Sequence, residues 1–254
     1  MIMSKPFQDQ VVVVTGGSTG IGLASAEAFL KQGAKRVYVT GRSEASLAKA
    51  KAHLGDGAVT VASDVSRLED VAKLRELIEA RGDRLDVIFA NAGIAENNVF
   101  GKTKETEFDS IFGINVKGLF FSVQELLPIL KDHGAVVLTA SIVANKGLAN
   151  LSLYNASKAA VRSFARSWAN DLRGRGIRVN AVSPGATRTP IMENGLKMNA
   201  EQIEQMQGWV KEAAPLGRMA TPDEIAAAVL FLASKEASYI TGVELSVDGG
   251  LAQI

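Results

Sequence analysis

Short β-branched runs alternate along this chain with amphipathic segments, and that rhythm leaves few folds open. Residues 11–14, 36–40, 58–62, 85–90, 135–140, 178–183 and 243–247 read as strands, and the segments between them carry apolar residues at helical spacing. Helix starts are marked by Ser66-x-x-Glu69, which reads as a capping box, and by Thr221-Pro222-Asp223-Glu224, with proline at the first helical position. Gly33 reads as a helix terminator. An eight-stranded barrel also alternates in this way, but it gives no reason for glycines to cluster after the first strand and needs one strand more. The expectation is therefore one α/β domain over residues 1–254: a doubly wound, seven-stranded parallel sheet of the Rossmann type with helices on both faces.

The glycine cluster is Thr15-Gly16-Gly17-Ser18-Thr19-Gly20-Ile21-Gly22, set between the first strand and the first helix. Gly16, Gly20 and Gly22 lack Cβ, so the backbone there can turn tightly and approach a ligand closely. The free N–H groups of the helix start then face an anion, which is where a dinucleotide phosphate would sit.

Composition narrows the partners. With 47% hydrophobic and 22% charged residues the chain can bury a large core. Its net charge of +1 with scattered basic residues implies neither nucleic acid nor an anionic membrane as partner. It has no cysteine, which removes disulfides, thiolate nucleophiles and thiolate metal sites and fits a reducing compartment. His53 and His133 lie far apart beside glycine-containing turns, so surface positions are expected and no metal site. The opening Met1-Ile2-Met3-Ser4-Lys5-Pro6 has no long apolar region, and no run of about 18 apolar residues occurs anywhere, so a cytoplasmic location is expected.

Residues 152–173 have helical periodicity and place Tyr154 and Lys158 four apart on one face. Ser141 follows the strand at 135–140, at the carboxyl edge where open α/β sheets bind ligands, and Tyr154 begins the next helix near the same edge. Singly, each has a plain structural reading: Ser141 as a turn residue, Asn115 as a helix or turn residue, Tyr154 as a packing aromatic, Lys158 as a solvated face.

Together, the glycine-rich turn, Asn91-Ala92-Gly93, Asn115, Ser141 with Tyr154-x-x-x-Lys158, Pro184-Gly185 and Val247-Asp248-Gly249-Gly250 resemble the short-chain dehydrogenases/reductases over the whole chain. Within that family the sequence is most similar to bacterial NADP(H)-dependent secondary-alcohol dehydrogenases that reduce ketones. The resemblance implies that Tyr154 protonates a carbonyl oxygen as hydride arrives, that Ser141 donates to the same oxygen, that Lys158 supplies charge and holds the nicotinamide ribose, and that Asn115 anchors a water linking Lys158 to solvent. An ammonium about 5 Å from the Tyr154 hydroxyl, at an effective dielectric of about 20, would favour tyrosinate by roughly 3 kcal/mol, about two pKa units.

The implied cofactor-binding set adds Ser18, Thr19, Ile21 and the three glycines of the turn, together with Asn91, Ala92 and Gly93 and the segment Pro184, Gly185, Thr187 and Thr189. Asp64 and Val65 match the position that contacts adenine. NAD-preferring relatives carry an acidic residue at the end of the second strand, where this chain has Gly41. Arg42 offers a planar fork of donors to a 2′-phosphate and Ser43 one donor more, which points to NADP(H). Two departures stand out: Thr19 where many NADP-using relatives have a basic residue, and Thr187 where a branched apolar one is usual.

Residues 186–215 form the one long break in rhythm and read as a substrate lid. Ile94, Ala95, Ile142, Val143, Leu148 and Leu151, with Ile191, Met192, Leu196 and Met206 from the lid, are expected to line the substrate end, with Glu96, Asn97 and Asn145 at its rim. That lining suits a neutral, mostly apolar ketone or secondary alcohol. Reduction of 3-oxoacyl thioesters and oxidation of steroids or sugars use the same residues and stay open, as does a nicotinamide-sensing protein without turnover. The resemblance further implies a homotetramer, with the helices that contain Asn115 and Tyr154 in one interface.

Overall fold

The computed structural model describes residues 5–254; the first four residues, read above for a targeting signal, lie outside them. All seven expected strands form one parallel sheet: β1 Val11–Thr15, β2 Arg36–Gly41, β3 Ala58–Ala62, β4 Leu85–Ala90, β5 Leu130–Thr139, β6 Arg178–Pro184 and β7 Glu244–Val247. Their order is β3-β2-β1-β4-β5-β6-β7. The direction of winding reverses beside β1, so the carboxyl ends of β1 and β4 open a crevice between them.

Period-two burial builds a core on each face. Val11 and Val13 of β1 join Ile88 of β4 and Val136 and Leu138 of β5 on one side, whereas Val12 and Val14 join Val37, Val39, Val87 and Phe89 on the other. Helices α1 (Gly20–Lys31), α2 (Glu44–Leu54) and the last of the α-helices, α9 (Pro222–Ala233), cover the second face. The first face is covered by α3 (Leu68–Ala80), α5 (Leu119–Leu126) and α6 (Ser152–Asp171). Between α4 (Glu105–Phe112) and α5 the chain makes a π-helical turn, Gly113–Gly118. The segment 186–215 carries α7 (Ile191–Asn194) and α8 (Ala200–Ala213).

Several sequence expectations hold at the level of single residues. Gly33 follows α1 with φ of 96°, the left-handed backbone of a helix terminator. At the start of α9, Pro222 occupies the first turn and the Glu224 carboxylate accepts from the Thr221 N–H at 2.9 Å. Other expectations need correction. Ser66 and Glu69 form no capping box: α3 begins at Leu68, and Ser66 instead donates its N–H and hydroxyl to Asp64 Oδ1 at 2.9 and 2.7 Å. Aspartate two residues upstream captures the serine in a local turn before it can cap. Strand β5 also starts at Leu130 rather than at 135, because Leu130 pairs with Leu85 across an irregularity in register. The polar stretch Lys131-Asp132-His133, in which His133 has φ of 61°, hides that extension from periodicity.

Charged groups anchor the amino-terminal edge of the sheet. Buried Asp83 accepts from the Tyr38 hydroxyl at 2.6 Å and pairs with Arg36, while Asp86 accepts from the Val11 N–H at 2.9 Å and pairs with Lys131. Burial pushes the Asp83 carboxyl up, but Tyr38, Arg36 and Lys35 outweigh it and hold the group below its ordinary value. Among the described residues no helix is long and apolar enough to cross a membrane.

Candidate active site

At the opposite, carboxyl edge of the sheet lies a cavity of about 710 Å³. One end is built by the glycine-rich turn. Gly16 and Gly20 have φ of 63° and 56°, and a Cβ on Gly16 would fall 2.8 Å from Ala92 Cα. Gly22 packs behind the turn, where a Cβ would collide with Gly16 O and lie 2.6 Å from Asn91 Nδ2. Its absence of a side chain therefore shapes the turn without placing Gly22 on the cavity wall. The start of α1 has no acidic residue in its first turn and no side-chain cap from Thr19, so its N–H groups stay free to meet an anion. These features fit a dinucleotide phosphate.

Asn91 fastens three strands at this edge. Its Nδ2 donates to Thr15 O and Gly16 O, each at 3.1 Å, and its Oδ1 accepts from the Thr139 hydroxyl at 3.2 Å. Thr15 Oγ1 accepts in turn from the N–H groups of Asn91 and Ala92 at 3.0 and 3.1 Å. Sequence reasoning placed Asn91 here but not these bonds, which need the strand order.

Toward the end of the cavity where adenine is expected, Arg42, Asp64 and Val65 line the wall with Gly41. Burial pushes the Asp64 carboxyl up, but the two bonds from Ser66 and the nearby guanidiniums of Arg42 and Arg67 hold it below its ordinary value. Ser43 is not part of the wall: its Oγ caps α2, accepting from the Ser46 N–H at 3.3 Å. The cap takes Ser43 off the expected wall but uses its oxygen as the acceptor, so its O–H stays a donor.

The other end gathers Ser141, Tyr154 and Lys158. Ser141 lies just past β5 and starts a short 3-10 turn, while Tyr154 and Lys158 stand one turn apart near the start of α6. Lys158, 3% exposed, donates to Thr139 O at 2.8 Å, and its Nζ is 5.7 Å from the centre of the Tyr154 ring. Burial pushes the Tyr154 hydroxyl up to about 12, against a lowering hydrogen bond with Ser141. Burial likewise pushes Lys158 down to about 8. The expected two-unit fall at Tyr154 is therefore reversed here. Desolvation disfavours both charged forms, and the ammonium is bonded to a backbone carbonyl instead of the phenol.

Asn115 lies in the π turn, fully buried and behind the wall. Its Oδ1 accepts from the Ile94 N–H at 2.8 Å, and its Nδ2 donates to Ile94 O at 2.9 Å and Ser157 Oγ at 3.0 Å. A Cβ on Gly93 would fall 3.2 Å from Asn115 Oδ1 and 3.3 Å from Lys158 Nζ, so the bare glycine lets both groups close in on one point. A continuous α-helix would turn the amide elsewhere, and nothing in the sequence pattern signals the π turn.

Pro184, Gly185, Thr187 and Thr189 line the middle of the cavity. Thr187 turns its hydroxyl back onto Gly185 O at 3.1 Å, so the departure from an apolar residue is satisfied internally. The ten aliphatic and methionine side chains expected at the substrate end, and Glu96, all reach the wall. Asn97 and Asn145 do not: Asn97 donates to Leu196 O at 3.1 Å and Asn145 to both oxygens of Glu244 at 3.0 Å. Sequence reasoning missed Lys146, Lys197, Trp209 and Leu251, which come from loops and helices whose placement only the packed fold decides.

A family model described as enoyl-(acyl carrier protein) reductase matches residues 16–252. An oxidoreductase from Sarocladium schorii is 41% identical over 252 residues, covering 96% of each chain. A 3-oxoacyl-acyl-carrier-protein reductase from Thermotoga maritima is 33% identical, covering 96% of this chain and 98% of its own. Among solved structures, a glucose/ribitol-type short-chain dehydrogenase/reductase from Brucella melitensis superposes with a TM-score of 0.91 at 31% identity, covering 98% of this chain and 99% of that one. The chain belongs to the short-chain dehydrogenase/reductase family, and it is an oxidoreductase of that family, whose members use nicotinamide cofactors.

Proposed function

We propose that this protein is an NADP(H)-dependent reductase of neutral, mostly apolar ketones, acting also on the corresponding secondary alcohols, as in the bacterial secondary-alcohol dehydrogenases it resembles. The observation that carries the reading is the meeting of Ser141, Tyr154 and Lys158 at one end of a cavity whose remaining wall there is largely aliphatic. A levodione reductase is 33% identical to this chain with a TM-score of 0.90 over 97% of it, and by name it too reduces a carbonyl compound.

Bound nicotinamide supplies the hydride. Tyr154, protonated at neutral pH as an ordinary phenol is and kept so by burial, gives its proton to the substrate oxygen, and Ser141 fixes that oxygen by a hydrogen bond. Lys158 would hold the cofactor ribose beside the phenol, and Asn115, fixed by Ile94 and Ser157, keeps its place next to it around Gly93. Arg42 would meet a 2′-phosphate, with no acidic competitor at Gly41, which is the ground for NADP(H). Residues 186–215 close the substrate end as a lid, with cytoplasmic residence.

The substrate end of the wall offers no arginine. Lys146 is engaged by the Leu251 carbonyl, Lys158 by the Thr139 carbonyl, and Lys197 is exposed, so a buried substrate carboxylate would lack a dedicated partner and would cost several kcal/mol. An aryl alkyl ketone instead gains about 25 cal/mol per Å² of apolar area buried. With NADPH, kcat/KM for acetophenone is expected to exceed that for phenylglyoxylate, and a better rate on the acid would overturn the assignment. A 3-oxoacyl thioester is the second reading, favoured by the Thermotoga relative; thioester turnover above ketone turnover in the same assay would select it.

Assembly as a homotetramer extends the proposal. Phe164 and Trp168 of α6 stack at 5.0 Å, and Phe120 of α5 meets both edge-on at 5.4 Å, giving the two helices a partly buried aromatic face. Sedimentation at micromolar concentration should show a tetramer, and a monomer alone would remove the assignment.

A further inference from the structure

The last residues of the chain fold back onto the substrate end. Asp248 organises a tight turn after β7: its Oδ1 accepts from the Gly250 N–H at 3.0 Å, and its Oδ2 accepts from the Ala252 N–H at 2.9 Å and the Gln253 amide at 3.1 Å. The turn is wedged on two sides. A Cβ on Gly250 would fall 2.6 Å from Pro215 Cγ, and a Cβ on Gly185 would fall 2.7 Å from Asp248 Cα. Leu251, 5% exposed, is thereby set into the cavity wall, where it clusters with Ile142 and Val143 beside Ser141 and with Val210 and Ala214 at α8. Lys146, in the exposed loop after Ser141, donates to the Leu251 carbonyl at 2.8 Å.

We propose that Leu251, clasped by Lys146, determines how large a substituent the substrate end admits. The inference rests on the ketone-reductase reading. Leu251 bridges the fixed wall after Ser141 and the helix that lies over it, so its length spaces the two. Packed interiors do not close small gaps freely, so shortening this side chain leaves room for substrate and lengthening it takes room away. Lys146 holds the backbone of the turn rather than the side chain, and its loss frees the turn and the contact with α8 together.

The test measures kcat/KM with NADPH for acetophenone and the bulkier benzophenone in wild type, Leu251→Ala, Leu251→Phe and Lys146→Met, with thermal midpoint and NADPH affinity checked in each. The ratio of benzophenone to acetophenone should rise roughly tenfold in Leu251→Ala, fall by a similar factor in Leu251→Phe, and rise about threefold in Lys146→Met. Hydrogen exchange over residues 200–213 should quicken in Lys146→Met, a readout that needs no turnover. A ratio within about twofold of wild type in both Leu251 variants, with acetophenone still reduced, overturns the proposal. So does unchanged exchange over 200–213. If wild type reduces neither ketone, the function proposed above falls instead, and the exchange result alone decides the clasp.

Discussion

A Tyr154→Phe variant should reduce ketones at least about a hundredfold more slowly than wild type, while NADPH binds with nearly unchanged affinity. The substitution deletes one oxygen at the substrate end and leaves the glycine-rich turn, Arg42 and Asp64 untouched at the far end of the cavity. Retention of more than about a tenth of kcat would move the acid to another group, since a positioned acid contributes more than that. The pH profile carries a second check. A folded-state pKa pushed up to about 12 keeps the Tyr154 proton in place through neutrality, so reduction should show no loss of the acid from about pH 6 to about pH 8. Alcohol oxidation needs the deprotonated phenol and should accelerate as pH rises. Lys158, pushed down to about 8, surrenders its charge on the same alkaline flank, so both groups act on the upper limb of the profile and neither on the acidic one.

The second large effect concerns cofactor choice. Arg42→Ala is expected to lower kcat/KM with NADPH by roughly 10- to 100-fold, the worth of charge-assisted hydrogen bonds to a phosphate, with little change for NADH. Wild-type preference for NADH would remove the NADP(H) assignment outright. Gly41→Asp should move preference the same way by repelling the 2′-phosphate, though less cleanly. A Cβ at Gly41 would fall 2.8 Å from Ser18 Oγ, so the serine hydroxyl must rotate away before the new carboxylate fits. Arg42, exposed on the cavity rim, has no such neighbour to displace in becoming alanine.

Much of this architecture was legible in the sequence because strands and parallel sheets announce themselves. Residues 58–62 and 85–90 coincide with β3 and β4 residue for residue, since β-branched runs bounded by turn residues leave little freedom. The residues of the candidate site were legible through spacing and order, and the fold brings Ser141, Tyr154 and Lys158 to one cavity as that order required. What escaped was whatever depends on competition between neighbours. Ser66 was open to capture by Asp64, Asn145 by Glu244 and Ser43 by its own helix, and no periodicity ranks such rival partners. Electrostatics escaped for a related reason: the charge of Lys158 was readable, but not the depth at which it and Tyr154 lie, and depth decided the direction of both shifts. Leu251 was invisible as a wall residue because its role depends on the closing turn held by Asp248 and Lys146.

The π turn at Gly113–Gly118 acts as a phase shifter in an otherwise continuous rod. An α-helix advances about 100° per residue, so one surplus residue rotates everything downstream by about that angle relative to everything upstream. Helix α4 buries Ile111 and α5 buries Leu119, Val123 and Leu126, and the surplus lets the two halves address the core from different azimuths while Asn115 takes the inward bearing between them. Loss of a single residue from this turn would leave the length of the rod almost unaltered yet rewrite which side chains it offers on either side of the break. In the design of variants, Gly113–Gly118 is therefore a site where insertions and deletions carry chemical consequences that substitutions on the same helix do not.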